Sequence, residues 1–315
     1  MNKITIIGSG SVGSTIAYTL TVSGMSSEIV MIDINNEKAL GEALDIRQGI
    51  PFCASPCSIY AGSYSDAANS DIVIITSGIA RKPGQTRLEL AQTNIDVIKS
   101  IMPQITKYAP DAVYLLVSNP VDILTYAFCK CSGLPENRII GSGTILDTAR
   151  LRARLSEYYS IGQSNVHAYV LGEHGDSSFV PWSLANISNV PIDECSKSFK
   201  TADNLLPELD RDAIVEYVRK SGGRVIERKG ATFYAVSISV CHIVKSLLSG
   251  IDTTMTVSTM MHGEYGIDDV CLSTLSVVGN RGIRSKVMLP LNDEEIVKLQ
   301  QSAETLKNII RQVEI

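Results

Sequence analysis

Hydrophobic positions in the first 140 residues form two alternating patterns. Short runs rich in Ile and Val, nearly continuous in hydrophobicity, are typical of parallel strands that are covered on both faces. They predict strands at Lys3–Ile7, Ile29–Ile32, Ser58–Ala61, Asp71–Thr76, Val113–Val117 and Arg138–Ile140. Segments with a helical pattern lie between them, at Val12–Ser23, Glu37–Gln48, Leu88–Tyr108 and Val121–Cys131. This alternation predicts an α/β fold, a Rossmann-type doubly wound parallel sheet.

The pattern changes after Gly141 into a mixture of helices and strands. The predicted helices are Asp147–Tyr159, Arg211–Lys220, Ala231–Leu248 and the closing Leu291–Ile315. A strand is predicted at Val166–Leu171, and Thr254–Val278 is predicted as strands with turns at Gly263 and Gly266. We therefore expect a dinucleotide-binding domain at residues 1–141 and an α+β substrate domain at residues 142–315.

A glycine-rich turn follows the first predicted strand and opens the first predicted helix. Its glycines are Gly8, Gly10 and Gly13, which would permit a tight turn and the close approach of a pyrophosphate to the helix N-terminus. Asp33 lies 20 residues past Gly13, at the end of the second predicted strand. A carboxylate there can accept hydrogen bonds from ribose hydroxyls and repels a 2′-phosphate. No arginine stands in the next three residues, so the pattern favours NAD over NADP.

Composition excludes several other classes of protein. The chain has 28 Lys+Arg against 33 Asp+Glu and a net charge of −5, without the basic cluster that nucleic-acid binding needs. No apolar run reaches about 18 residues, and the N-terminus lacks the features of a signal peptide, so we expect a cytoplasmic protein that does not enter membranes. The seven cysteines and four histidines show no ligand-like spacing, and we expect no metal site.

Four polar segments carry the candidate chemistry. They are Arg81–Arg87, Asn119-Pro120, Asp147–Arg150 and Gly172–Asp176. His174 has the side chain that titrates nearest neutrality and suits proton transfer, although a histidine in a glycine turn also has simpler explanations. Asp147 could equally be a helix N-cap, and Arg150 could form a surface salt bridge. Each residue taken alone is therefore ambiguous.

Together these motifs resemble the L-lactate/malate dehydrogenase family, and within it the bacterial L-lactate dehydrogenases. The resemblance covers essentially the whole chain. It rests on Gly8–Gly13, Lys82–Arg87, Ser118–Asp122, Gly141–Arg150 and Gly172–Ser177. It implies reversible hydride transfer between NAD and a small 2-hydroxy acid, the principal expectation being pyruvate and L-lactate.

The resemblance also implies a role for each matching residue. His174 would exchange the proton, Asp147 would orient it, and Arg87 would polarise the carbonyl at the end of a mobile lid. Arg150 would bind the substrate carboxylate through its planar fork. Asn119 and Thr232 would contact substrate. The implied cofactor-binding residues are Gly8, Gly10, Val12, Gly13, Asp33, Thr76 and Asn119.

One lid residue favours a different substrate. Arg81 stands where lactate dehydrogenases usually carry glutamine and malate dehydrogenases carry arginine, which meets the second carboxylate of oxaloacetate. A hydrogen bond to a charged group contributes about 1.5–3 kcal/mol. Arg81 taken alone therefore predicts malate dehydrogenase, whereas the other motifs favour lactate.

The resemblance further implies an effector and an assembly. Arg152 and His167 match the positions at which allosteric bacterial lactate dehydrogenases bind fructose 1,6-bisphosphate between subunits. A homo-oligomer, either a tetramer or a dimer, is expected. Two competing classes remain open, an NAD-binding sensor without turnover and an NAD-dependent glycosidase. The glycosidase would need a metal with Cys/His ligands.

Overall fold

A computed structural model describes residues 2–80, 84, 86–198 and 209–315. Within these residues the strands are β1 Lys3–Ile7, β2 Glu28–Ile32, β3 Ser58–Ala61, β4 Ile72–Ile75, β5 Val113–Leu116, β6 Ile139–Gly141, β7 Val166–His167, β8 Asn186–Ile187, β9 Val190–Pro191, β10 Thr253–His262, β11 Asp268–Gly279 and β12 Gly282–Lys286. The helices are α1 Ser11–Val22, α2 Asn36–Gly49, α3 Arg87–Tyr108, α4 Val121–Cys131, α5 Ile145–Tyr159, α6 Ile192–Ser198, α7 Arg211–Lys229, α8 Tyr234–Leu248 and α9 Asp293–Ile310.

Six parallel strands form the first part of the main sheet, in the order β3-β2-β1-β4-β5-β6. Every residue of β4 and β5 is buried, as expected for strands with helices on both faces. This order is that of a doubly wound dinucleotide-binding fold, in which β1 and β4 flank the point where the strand order reverses. The predicted Rossmann-type sheet is confirmed.

The second part of the chain extends the same sheet. β10 pairs antiparallel with β6 through Ser258 and Gly141, and β11 and β12 continue the sheet outward. One hydrophobic cluster joins the two parts, because Ile4 and Leu115 pack in the same core as Val244 and Val257. This shared core holds α8 and β10 firmly against the parallel strands.

The remaining elements complete the α+β part and correct three predictions. The predicted strand Val166–Leu171 is wrong in extent, since β7 ends at His167 and pairs into a small sheet with β8 and β9. The helix predicted to end at Lys220 continues as α7 to Lys229. The closing helix α9 is shorter than predicted and ends at Ile310. No helix in the described residues is both long and apolar enough to cross a bilayer.

Candidate active site

A cavity of about 500 Å³ lies where the carboxyl ends of the parallel strands meet α5, α7 and α8. Ligands of doubly wound folds bind at this edge of the sheet. Seven of the residues predicted from the sequence line it, from both parts of the chain. They are Val12, Thr76, Asn119, Asp147, Arg150, His174 and Thr232.

The glycine turn between β1 and α1 is closely packed on one side and open on the other. Gly8 has φ +105°, a conformation that side chains disfavour. A Cβ on Gly13 would lie 1.8 Å from the carbonyl oxygen of Gly8, whereas a Cβ on Gly10 would meet no atom within 4 Å. The first turn of α1 carries no acidic residue. The turn therefore leaves room for a pyrophosphate against the positive end of α1 and fits a dinucleotide.

Asp33 follows β2 and turns its carboxylate toward this glycine turn. Its Oδ2 accepts a hydrogen bond from the backbone N–H of Ser9 at 2.6 Å, and its Oδ1 accepts one from Asn35 at 2.8 Å. A carboxylate has about four acceptor sites, so both oxygens can still receive hydrogen bonds from ribose hydroxyls. The position and the negative charge fit NAD.

His174, Asp147 and Arg150 form a connected set at the cavity wall. Nδ1 of His174 lies 2.6 Å from Oδ2 of Asp147, and Nη1 of Arg150 donates to Oδ1 of Asp147 at 2.8 Å. Asp147 and Arg150 are three residues apart on α5 and share one face of it. Asp147 is buried, whereas His174 is partly exposed. With Nδ1 engaged by the carboxylate, the Nε2 atom of His174 is left for a substrate.

The charges in this set reinforce one another. The Asp147 carboxylate raises the pKa of His174 to about 9, although burial acts in the opposite direction. Burial alone would raise the pKa of Asp147, but the His174 and Arg150 cations outweigh it and the net pKa is lowered. The imidazole is therefore protonated near neutral pH and can donate a proton from Nε2.

Arg87 lies beside this set and is paired with other side chains. It is the first residue of α3, whose N-terminus is closed by a capping box between Thr86 and Glu89. Its guanidinium forms a salt bridge with Asp176 and lies 3.8 Å from Oε1 of Glu173. Asp176 lines the cavity, so Arg87 is held at its rim. Local sequence patterns did not predict this pairing.

A buried amide organises the loops after β4 and β5. Asn94 on α3 donates to the carbonyl oxygen of Asn119 at 2.7 Å and accepts from the backbone N–H of Ile79 at 2.7 Å. The Oγ1 of Thr76 donates to the carbonyl oxygen of Gly8 at 2.9 Å. Sequence reasoning missed Asn94, because nothing in the pattern of a long helix distinguishes one asparagine.

The two residues predicted to bind an effector lie away from this set. Arg152 donates from Nε to the carbonyl oxygen of Ala168 at 3.0 Å and stacks over Tyr169, while His167 is exposed on β7. Both lie outside the residues that line the cavity. Arg81, the residue that favours malate, lies outside the described residues. In the part of the chain that the structure describes, no cluster of His, Cys, Asp and Glu could hold a metal ion.

The sheet order, the glycine turn and the charged set at the cavity are typical of a nicotinamide-dependent dehydrogenase. The profile of the lactate/malate dehydrogenase NAD binding domain matches residues 2–141, and that of the alpha/beta C-terminal domain matches residues 144–315. The chain belongs to the lactate/malate dehydrogenase family, and its cofactor is NAD.

Relatives with assigned names match over the full chain. An L-lactate dehydrogenase of Acetivibrio thermocellus is 48% identical over 100% of this chain and 98% of its own length. L-lactate dehydrogenase 1 of Clostridium acetobutylicum is 47% identical over 97% of this chain and 96% of its own length. Among solved structures, the minor L-lactate dehydrogenase of Enterococcus mundtii superposes with a TM-score of 0.94 at 36% identity, covering 100% of this chain and 99% of that one.

Proposed function

We propose that the chain is an L-lactate dehydrogenase that interconverts pyruvate and L-lactate with NAD. The observation that carries this proposal is the hydrogen-bonded set of His174, Asp147 and Arg150 at the wall of the cavity. One charged imidazole and one guanidinium stand side by side, as proton transfer to a 2-oxo acid with a single carboxylate requires. The names of the full-length relatives favour lactate over malate.

The residues act together in the reduction of pyruvate. Arg150 binds the substrate carboxylate and directs the ketone oxygen toward Nε2 of His174. NADH, which the glycine turn and Asp33 would hold, would supply the hydride for the carbonyl carbon. His174 gives its proton to the carbonyl oxygen as that oxygen gains negative charge, and Asp147 stabilises the imidazolium before transfer. In lactate oxidation the neutral imidazole accepts the hydroxyl proton.

Arg87 contributes after a movement at the cavity rim. To polarise the carbonyl, its guanidinium leaves Asp176 and turns into the cavity, where it stabilises charge developing on oxygen. Gly84, three residues before Arg87, has φ +80°, a conformation that favours glycine. Closure over the substrate excludes water and strengthens these charged contacts.

The deciding experiment compares NADH oxidation with pyruvate and with oxaloacetate. We expect a higher kcat/KM for pyruvate. A preference for oxaloacetate of tenfold or more, a difference of about 1.4 kcal/mol, would assign Arg81 to the distal carboxylate and make the enzyme a malate dehydrogenase. NADH binding without oxidation by any 2-oxo acid would instead support the sensor alternative.

We also propose that Arg152 and His167 bind fructose 1,6-bisphosphate at a subunit boundary. Their positions support this, since Arg152 is held to Ala168 and His167 is exposed one residue before it. Two such pairs related by a two-fold axis would present two arginines and two histidines to two phosphates. Fructose 1,6-bisphosphate should lower the KM for pyruvate. Titration with it should therefore raise the rate at subsaturating pyruvate. An unchanged rate, pyruvate affinity and assembly state would reject the site.

The division of the chain and its assembly are further parts of this proposal. We place the NAD domain at residues 1–141 and the substrate domain at residues 142–315, joined through the β6–β10 pair. We propose a cytoplasmic homo-oligomer, a dimer or tetramer. Exposed apolar side chains on α1, α2 and α8, including Tyr18, Leu44 and Ile238, support association through this face.

A further inference from the structure

A second buried carboxylate lies beside His174, and the mechanism above does not use it. Asp122 is the second residue of α4, and only 2% of it is exposed. A buried carboxylate is costly unless its oxygens are hydrogen-bonded. Its two hydrogen-bond donors come from distant parts of the chain, so the residue joins three elements rather than capping its own helix.

The two oxygens of Asp122 have different partners. Oδ1 accepts from Oγ of Ser258 on β10 at 2.6 Å. Oδ2 accepts from the backbone N–H of His174 at 2.7 Å. Because Asp147 holds the ring of His174 at Nδ1, two carboxylates hold this one residue at two points. The main chain and the ring are both fixed, and so is the direction in which Nε2 points.

The whole turn is anchored through successive backbone N–H groups. Gly172 donates to the carbonyl oxygen of Ser273 at 2.9 Å, and Glu173 donates to Oγ of Ser302 at 2.8 Å. His174 is the third in this row, and its acceptor alone is an ionisable group. The hydrogen bond to Asp122 therefore brings a negative charge to this turn, whose other two backbone N–H groups have neutral acceptors.

We propose that Asp122 is a positioning residue for proton transfer, fixing the main chain of His174 and stabilising its imidazolium through a buried negative charge. This inference rests on the proposed function. It assigns a role to the last residue of the Ser118–Asp122 motif, whose amide member Asn119 lines the cavity.

Several charged groups around His174 act on the pKa of its imidazole together with Asp122. Asp147 and Arg150 face it from α5, Asp122 faces it from α4, and its own turn contributes Glu173 and Asp176, both paired with Arg87 from α3. Burial raises the pKa of Asp122 to about 6, against the lowering effect of its two hydrogen bonds and of His174. Asp122 is therefore ionised at pH 7 and adds to the effect of Asp147 on the pKa of His174.

The test compares two substitutions of Asp122 with a matched control. Asp122→Asn keeps an oxygen for the N–H of His174 but removes the charge, and Asp122→Ala removes both. The control Glu295→Gln removes another buried carboxylate from the second part of the chain. Glu295 accepts from the backbone N–H of Ser183 at 3.0 Å and from its hydroxyl at 2.6 Å, the same kind of tie without His174.

Two measurements are made on each full-length variant. The first is the titration of the His174 imidazole by NMR without cofactor or substrate, with the signal assigned by its loss in His174→Asn. The second is kcat/KM for pyruvate as a function of pH, together with the Kd for NADH. With Asp122→Asn we expect His174 to titrate about one pH unit lower, and the alkaline decline of pyruvate reduction to move with it.

Asp122→Ala should lower kcat further, by roughly 10- to 100-fold, with little change in NADH affinity, because the histidine turn loses its anchor. Partial recovery of kcat in Asp122→Asn would then separate the hydrogen bond from the charge. Below about pH 6 the imidazole signals of wild type and Asp122→Asn should converge, because His174 is protonated in both proteins and Asp122 itself takes up a proton there.

An unshifted His174 titration in Asp122→Asn would overturn the proposal, as would an equal shift in Glu295→Gln. If Asp122→Ala does not fold, the Asp122→Asn titration decides alone. A wild-type enzyme that turns over no 2-oxo acid would refute the proposed function, yet the NMR titration would still judge the Asp122–His174 coupling. The two failures are therefore distinguishable.

Discussion

Asp147 is the residue on which the candidate site depends most, because its carboxylate contacts two cations at once. One oxygen faces the His174 ring and the other accepts from Arg150. A substrate carboxylate bound to Arg150 would therefore lie next to the proton donor. Substrate binding by Arg150 on α5 and proton transfer by His174 in its loop are therefore next to each other.

The raised pKa of His174 predicts opposite pH dependence for the two directions of the reaction. Pyruvate reduction needs the protonated imidazole, so its kcat/KM should be level at neutral pH and fall as pH rises through about 9. Lactate oxidation needs the neutral form and should rise over the same interval. Steady-state rates from pH 6 to 10.5 would measure this. A shared fall in both directions would assign the titration to another group.

Replacing His174 separates chemistry from cofactor binding. In His174→Asn we expect turnover to be abolished, because the amide cannot donate and recover the proton. NADH affinity should persist, because the glycine turn and Asp33 lie elsewhere. Stopped-flow absorbance and NADH fluorescence would report the two quantities. Wild-type turnover in this variant would remove His174 from the mechanism.

Arg150→Lys tests the planar fork. A lysine keeps the positive charge but cannot form two parallel hydrogen bonds with a carboxylate, and it would weaken the contact with Asp147. We expect KM for pyruvate to rise by roughly tenfold or more, with a smaller effect on NADH affinity. Lys220→Arg, on the exposed face of α7, serves as a control that keeps the positive charge and should leave KM unchanged. An unchanged KM would contradict the assigned role.

At the scale of elements, close contact between α1 and the glycine turn is the feature most sensitive to substitution. Gly13→Ala would place a Cβ 1.8 Å from the backbone of Gly8, so the helix must shift. We expect about 1–3 kcal/mol less stability and at least tenfold weaker NADH binding. Gly41→Ala on α2 meets no atom within 4 Å and should be neutral or stabilising by about 0.5–1 kcal/mol. Thermal unfolding and NADH titration would compare the two.

Most elements were predictable from the sequence, for a physical reason. The buried parallel strands carry unbroken Ile and Val runs, and the predicted bounds of β1 and β3 agree with the structure. The extension of α7 was not predicted, because Gly222 and Gly223 interrupt the helical pattern in its middle. The contacts that a helix makes with other elements are tertiary, and they leave no signal in its local sequence.

The site itself was predictable only in part. His174, Asp147 and Arg150 stand in motifs, and the structure brings them together. The pairing of Arg87 with Asp176 spans 89 residues, and that of Asp122 with His174 spans 52. Local spacing carries no information about such contacts, which depend on how the sheet and its covering helices pack.

At the scale of the whole molecule, the exposed apolar side chains of neighbouring helices predict where subunits meet. α1 contacts both α2 and α8, and Tyr18, Leu44 and Ile238 are 57%, 45% and 63% exposed on these helices. Apolar side chains grouped on one face are typical of an interaction surface. The double substitution Leu44→Lys with Ile238→Lys should place like, unpaired charges in the interface and shift the assembly toward smaller species.

Light scattering after size-exclusion chromatography, at several protein concentrations, would measure that shift. Ile251→Lys is the matched control, since Ile251 is 78% exposed but lies in the segment between α8 and β10, outside the three helices. We expect the wild type and the control to share one mass of at least two chains. A monomeric wild type, or an equal loss of mass in Ile251→Lys, would contradict the assignment. An unchanged mass in the double variant would place the subunit boundary on another face, and the effector pair Arg152 and His167 would then be the next region to probe.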